Sequence, residues 1–153
     1  MLPELVLVED SPDDELLSLR AIARCGVMCK VTVRRDGAEA LEHLLGAGCP
    51  PALIVLDYQL PRYSGREILE KLRASERARF IPIVIFSGTN RGEALTDCYR
   101  AGANSCVVKP NDVKEYVSKL TSVAHYWLTV NQPSCTEIMA SDAARASENA
   151  IGP

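Results

Sequence analysis

Apolar positions along the chain fall into two alternating patterns. Short runs at Glu4 to Val8, Val31 to Arg34, Ala52 to Leu56, Pro82 to Phe86 and Ser105 to Val108 predict five strands. Ala52 to Leu56 and Pro82 to Phe86 are unbroken, the mark of strands covered on both faces. Between the runs lie segments with helical spacing and recognisable start signals. Ser11-Pro12-Asp13-Asp14 places Ser at an N-cap, Pro at the first helical position and acids in the first turn. Leu16, Leu17, Leu19 and Ala23 follow as an apolar face, and Gly26 is a natural stop. Asp36 and Glu39 have capping-box spacing ahead of Leu41, Leu44 and Leu45, with Gly46 ending that helix. Ser64 and Glu67 repeat the device before Ile68, Leu69 and Leu72. A fourth helix runs from about Arg91 to Gly102, and the longest from Asp112 to about Val130. Five strands, each followed by a helix, predict an α/β unit with a parallel sheet and helices on both faces.

Composition narrows the class. The chain has 153 residues, 47% apolar and 24% charged, enough for one domain with one sizeable core. Residues 1–130 form that domain. Residues 131–153, where Ala, Ser and Asn dominate after Pro133, read as a C-terminal extension. Seventeen basic against twenty acidic residues give a net charge of -3, with no basic run to attract nucleic acid. No apolar run has the ~18 residues of a membrane span, and the first run ends in Glu9-Asp10 rather than a cleavage site. Six cysteines, at 25, 29, 49, 98, 106 and 135, could pair. Several lie inside apolar runs, however, and no second close pair joins Cys25 and Cys29 as a zinc set. They read as free thiols in a reducing cytoplasm.

In open parallel sheets, ligands bind beyond the carboxyl ends of the strands. Past the first strand come Glu9 and Asp10, past the third Asp57, past the fourth Ser87, past the fifth Lys109 and Pro110. Past the second there are only Arg35 and Asp36 in a turn. Each residue alone reads equally as a turn or surface group. Their convergence from four strands is what carries information. Three carboxylates brought together repel unless a cation joins them. Oxygen donors without His or Cys suit a hard cation, Mg²⁺ first. A hydroxyl and a fixed positive charge suit a phosphoryl group.

Glu9-Asp10, Asp57 followed by Pro61 and Gly65, Ser87-Gly88-Thr89 and Lys109-Pro110 closely resemble the signature of a receiver domain of a two-component response regulator, the CheY-like family. The resemblance covers about residues 4–130. It implies the flavodoxin-like (βα)5 fold with strand order 2-1-3-4-5. It implies that Asp57 is the phosphoacceptor, attacking a phosphohistidine of a sensor histidine kinase. Glu9, Asp10, Asp57 and the backbone carbonyl of Gln59 would surround Mg²⁺. Ser87 would bond a phosphoryl oxygen, and Lys109 would pair with Asp57 and then with the phosphoryl group. A cis bond at Lys109-Pro110 is usual in the family. The stretches Val8 to Asp14, Asp57 to Pro61 and Tyr126-Trp127-Leu128 look most like single-domain regulators paired with bacterial phytochromes. One position departs from the pattern. Family members commonly carry Tyr or Phe three residues before the lysine, as a rotameric partner of the hydroxyl residue, and here that residue is Cys106.

Two other classes compete with a phosphoacceptor signalling protein. Many Mg²⁺-dependent phosphohydrolases with an aspartyl intermediate place an acid two residues after the nucleophile, and here that position is Gln59, which cannot move a proton usefully. A module that binds partners without phosphorylation would have lost site residues. A nucleotide-binding fold is weaker still, since no glycine pattern for phosphates follows the first strand. His43 and His125 lie on predicted helices as surface or packing residues. Residues 131–153 are too few for a DNA-binding unit of roughly 60 residues, so the expected readout is protein contact. On the last helix, Val113, Val117, Leu120, Ala124 and Trp127 form the row expected on the sheet. Tyr116, Val123, Tyr126 and Val130 form a second row, expected at an isologous homodimer interface, with residues 131–153, including Ile138 and Met139, as an arm to the partner.

Overall fold

The computed structural model describes residues 1–88 and 91–134. In chain order the elements are β1 (Glu4–Val8), α1 (Pro12–Ala23), β2 (Lys30–Arg34), α2 (Gly37–Leu45), β3 (Leu53–Leu56), α3 (Gly65–Ala74), β4 (Ile83–Ser87), α4 (Gly92–Ala101), β5 (Ser105–Val108) and α5 (Val113–His125). A π-helical turn, Tyr126–Val130, continues α5. All strand pairs are parallel and the sheet order is β2-β1-β3-β4-β5, the flavodoxin-like arrangement.

Alternation along the strands sorts their side chains onto two cores. Val6, Val8, Ile54, Leu56, Ile83 and Ile85 face one side, where they meet Leu41, Leu44, Ile68, Leu69 and Leu72 of α2 and α3, with Cys98 of α4. Leu5, Leu7, Leu53, Val55, Val84 and Phe86 face the other, against Ala21 and Ile22 of α1 and Tyr116, Val117, Leu120 and Ala124 of α5. A sheet covered on both sides has no strand face left for polar residues, so β1, β3 and β4 read as unbroken apolar runs. Each fully buried Leu, Ile or Val contributes about 1.5–3 kcal/mol of transfer free energy.

The helix starts follow their caps. Ser11 accepts from the Asp14 amide at 3.3 Å, Asp36 from Glu39 at 2.9 Å and Asp112 from Glu115 at 2.9 Å. Among the described residues the capping box is reciprocal only at Ser64 and Glu67. At Asp36 the box is half formed: the Glu39 carboxylate turns instead to the Arg35 amide. Gly102, at φ 108°, ends α4 in the left-handed conformation, and a Cβ there would lie 2.7 Å from the Arg73 side chain. That closeness serves a staple. The Arg73 guanidinium donates to the carbonyls of Gly102, Arg79 and Ile81 and to Asn104 Oδ1, at 2.8–3.0 Å. Asn104 Oδ1 also accepts from the Ile83 amide at 2.8 Å, so one side chain gathers the starts of β4 and β5.

Four expectations are corrected. Tyr116 is 3% exposed, with its hydroxyl 2.9 Å from Ser18 Oγ and its ring edge-on to Phe86, so it is a core residue and not an interface residue. Val113 is 49% exposed: at the first helical position it precedes the stripe that reaches the sheet. The long helix is α-helical only to His125, and the Asn131 amide then bonds the Tyr126 carbonyl in a wider turn. No peptide bond among the described residues is cis, Lys109-Pro110 included. Five cysteines, 25, 29, 49, 98 and 106, are free thiols. Thr89, Cys135 and the arm residues Ile138 and Met139 lie outside the described residues, as does residue range 135–153.

Candidate functional site

The site is assembled by the sheet ladder itself. Beyond the strand ends the backbone bonding continues for one more residue. The Glu9 amide donates to the Arg34 carbonyl at 3.0 Å, the Asp57 amide to Val8 at 3.0 Å and the Lys109 amide to Ser87 at 2.8 Å. Three of the candidate side chains are thus positioned by strand pairing before any side-chain contact is made. Ser87 closes β4 and is buried.

The side chains converge. One oxygen from each of Glu9, Asp10 and Asp57 lies within 4.8 Å of the others. Glu9 and Asp57 are buried, while Asp10 is exposed at the edge of the cluster. Opposite them, Lys109 Nζ donates to Glu9 Oε2 at 2.6 Å, Asp14 Oδ2 at 2.9 Å and Asp57 Oδ2 at 3.1 Å. Asp57 Oδ1 accepts from the Gln59 amide at 3.2 Å, and Glu9 Oε1 from the Ser11 amide at 3.1 Å. Each buried carboxylate therefore has one oxygen on the lysine and one on a backbone amide.

Burial raises the Glu9 carboxyl. The Lys109 bond pulls it the other way, the Asp57 charge adds to the rise, and the result is about 7. Burial alone would lower the Lys109 ammonium, but its bond to Glu9, the Asp57 charge and Asp14 outweigh it. The net shift is upward, so Lys109 stays charged. One buried cation among several acids leaves the cluster net negative. Oxygen-only donors with excess negative charge can hold a hard divalent cation between Glu9, Asp10 and Asp57.

The sequence reading brought Glu9, Asp10, Asp57, Ser87 and Lys109 to one edge. It missed Asp14, the third lysine partner. Its signal was present but ambiguous: an acid in the first turn of a helix is explained by the helix alone. Cys106 lies away from the carboxylates. It packs on the α2–α3–α4 core and interacts with the Cys98 thiol, which burial pushes up to about 12. Its amide donates to the Tyr99 hydroxyl at 3.2 Å. Tyr126 and Val130 are 48% and 65% exposed, whereas Val123 and Trp127 pack partly against the α1–α5 core. No helix among the described residues is long and apolar enough to cross a membrane.

Comparison with known proteins agrees with this geometry. The family model for the response regulator receiver domain matches residues 5–121. The chain is 31% identical over 132 residues to the probable methanogenesis regulatory protein FilR2 of Methanothrix harundinacea, covering 84% of this chain and 85% of that protein. The crystal structure of the phosphorylated cyanobacterial phytochrome response regulator RcpA superposes with a TM-score of 0.82 at 27% identity, covering 88% of this chain and 99% of the other. The bacteriophytochrome response regulator AtBRR superposes at 0.69 with 33% identity, over 86% and 96% of the two chains. With a fold, a carboxylate cluster and a family model in agreement over most of its length, the chain belongs to the response regulator receiver domain family.

Proposed function

We propose that Asp57 accepts a phosphoryl group from a phosphohistidine of a sensor histidine kinase, and that the protein signals in the cytoplasm by protein contact. One observation supports this above the rest: Asp57 is buried at a strand end, 3.1 Å from the ammonium of Lys109 and beside two further acids. Such a carboxylate is a poor surface group and a well-placed nucleophile. A carboxylate oxygen of Asp57 forms the bond to phosphorus, the phosphorus–nitrogen bond breaks, and its electron pair stays on the imidazole nitrogen. The product is an acyl phosphate. Lys109 supplies a fixed positive charge for the phosphoryl oxygens and Ser87 a hydroxyl donor, so the protein contributes positioning and charge neutralisation. Glu9, Asp10 and Asp57, with the backbone carbonyl of Gln59, would hold Mg²⁺. The ion would supply the charge that lets an anionic phosphoryl group approach an acidic cluster.

Similarity to RcpA and AtBRR supports a phytochrome-type sensor as the kinase partner. The exposed Tyr126 and Val130, with the edge of Val123, support contact with a second copy through the end of α5. Acetyl phosphate with Mg²⁺, followed by intact-mass measurement, tests the central reading. One added phosphoryl group, stable in acid and removed by hydroxylamine, is expected in the wild type and absent in Asp57→Asn. Equal labelling of the Asn variant would overturn the assignment.

A further inference from the structure

Lys109 has three ammonium hydrogens and three carboxylate partners, Glu9, Asp14 and Asp57. A phosphoryl group on Asp57 replaces the charged Asp57 oxygen at the lysine with up to three phosphoryl oxygens, and a lysine that meets more than one of them releases a further partner. Asp14 is placed to yield. Its side chain is 33% exposed, against 3% for Glu9 and 11% for Asp57, so water can replace the ammonium there. It also stands outside the cluster of cation-binding oxygens.

Asp14 is tied to the rest of the molecule through Tyr116. The Tyr116 hydroxyl donates to the Asp14 backbone carbonyl at 3.3 Å and shares a hydrogen bond with Ser18 Oγ at 2.9 Å, both side chains being buried. Its ring stands edge-on to Phe86, centroids 5.0 Å apart, and Phe86 immediately precedes Ser87. Tyr116 therefore touches both the lysine side and the hydroxyl side of the site. Further along α5, the Thr121 hydroxyl donates to the Ala21 carbonyl at 3.0 Å, and His125 Nδ1 faces the Cys25 carbonyl at 3.0 Å. These bonds form a polar seam between α1 and α5. It ends at the π-helical turn, where Trp127, the one tryptophan of the chain, packs partly on the same core and edge-on to Tyr126. Position 106 offers no equivalent: the Cys106 thiol is small and lies on the opposite face of the sheet with Cys98.

We propose that occupation of Asp57 is transmitted along the α1–α5 seam, with Tyr116 as the positioning residue that links the Lys109–Asp14 contact and the Phe86–Ser87 segment to the end of α5. The inference rests on Asp57 being the phosphoacceptor. Where an aromatic at position 106 would report toward α4, this chain reports toward the face that carries Tyr126.

Trp127 fluorescence provides the readout, with acetyl phosphate and Mg²⁺ as the probe and intact mass recorded on the same samples. In the wild type, phosphorylation shifts Trp127 emission. Tyr116→Phe keeps the ring and removes only the hydroxyl. It is expected to accept the phosphoryl group to the wild-type extent while losing at least half of the emission change. Ser18→Ala removes the other end of the same bond, is expected to act alike, and decides the matter if Tyr116→Phe fails to fold. Cys106→Ala is expected to keep the full response. A labelled Tyr116→Phe or Ser18→Ala with an undiminished emission change overturns the proposal, as does a labelled wild type whose Trp127 is silent or a Cys106→Ala variant that loses the response. A wild type that gains no phosphoryl mass overturns the reading of Asp57, and the seam falls with it.

Discussion

Gly65 and Tyr58 are in backbone contact: the Gly65 amide donates to the Tyr58 carbonyl at 2.8 Å, and a Cβ on Gly65 would lie 2.7 Å from the Tyr58 Cα. The same Cβ would come within 3.0 Å of the Asp57 carbonyl oxygen. The first residue of α3 is thus pressed against the loop that presents Asp57, and only a residue without a side chain allows it. Gly65→Ala must push that loop aside. It is expected to cost about 1–3 kcal/mol of stability, read by urea unfolding. It should also weaken divalent-cation binding, read by titration, because Asp57 and Gln59 move together.

Lys109 is the only cation touching the buried pair Glu9 and Asp57 among the described contacts. Lys109→Ala leaves those carboxylates facing one another without a counter-charge. Breaking a buried pair in this way is expected to cost about 3 kcal/mol in metal-free buffer at neutral pH. Excess Mg²⁺ should recover part of that loss, since it supplies positive charge to the same oxygens. Unfolding curves with chelator and with Mg²⁺ make the comparison. A variant equally stable in both would show that the lysine, not the ion, is all the acids require.

Two of these relationships were legible in the sequence and others were not. The strand ends that carry Glu9, Asp10, Asp57 and Ser87 could be read because β1, β3 and β4 are apolar runs buried on both faces, and such runs have sharp ends; Lys109 follows the half-buried edge strand β5 and was marked by its place after a short apolar run. The capping residues Ser11, Asp36 and Ser64 were equally visible, being local. Tyr116 was misplaced because its partner Ser18 lies on another helix at the far end of the chain, and an aromatic beside an apolar stripe has no local mark of burial. Asp14 was missed for the same reason, its lysine arriving from β5. The π-helical turn after His125 was read as plain helix because apolar spacing over five residues does not separate a wide turn from an ordinary one.

At the opposite end of the sheet, Glu4 accepts from the Thr32 hydroxyl and pairs with His43 at 3.3 Å and Lys30 at 3.4 Å. Burial raises its carboxyl, but Thr32, Lys30 and His43 together bring it below the ordinary value of 4.5. A lowered carboxyl stabilises the fold above the unfolded-state pKa and loses that contribution as pH falls through the folded-state value. Glu4→Gln should therefore be less stable than the wild type at pH 7, by under about 1 kcal/mol as the cluster is partly exposed. The difference should shrink as the pH is lowered toward about 3. Urea midpoints at the two pH values give the test.

Tyr126 projects from the end of α5 with its ring edge-on to Trp127, centroids 5.1 Å apart, and nearly half of its surface is open. If a second copy covers this face, Tyr126→Glu places a charge in the contact. The expected outcome is a shift from dimer to monomer in light scattering, with the unfolding midpoint of the monomer unchanged. The same change at Val123 would also disturb the partly buried α1–α5 core and is the less informative variant.

The Arg73 staple has a mechanical consequence. It clamps β4 and β5 at their amino ends, through Ile81, Asn104 and Gly102, while Ser87 and Lys109 stand at the carboxyl ends of the same strands. The two strands are cantilevers fixed at the base. A charge added at their tips cannot be relieved by sliding the strands lengthwise against the sheet. With Asp57 phosphorylated as proposed, strain at the tips would pass sideways into the flanking helices, so a short sheet anchored in this way would turn a local charge into a change of helix surface.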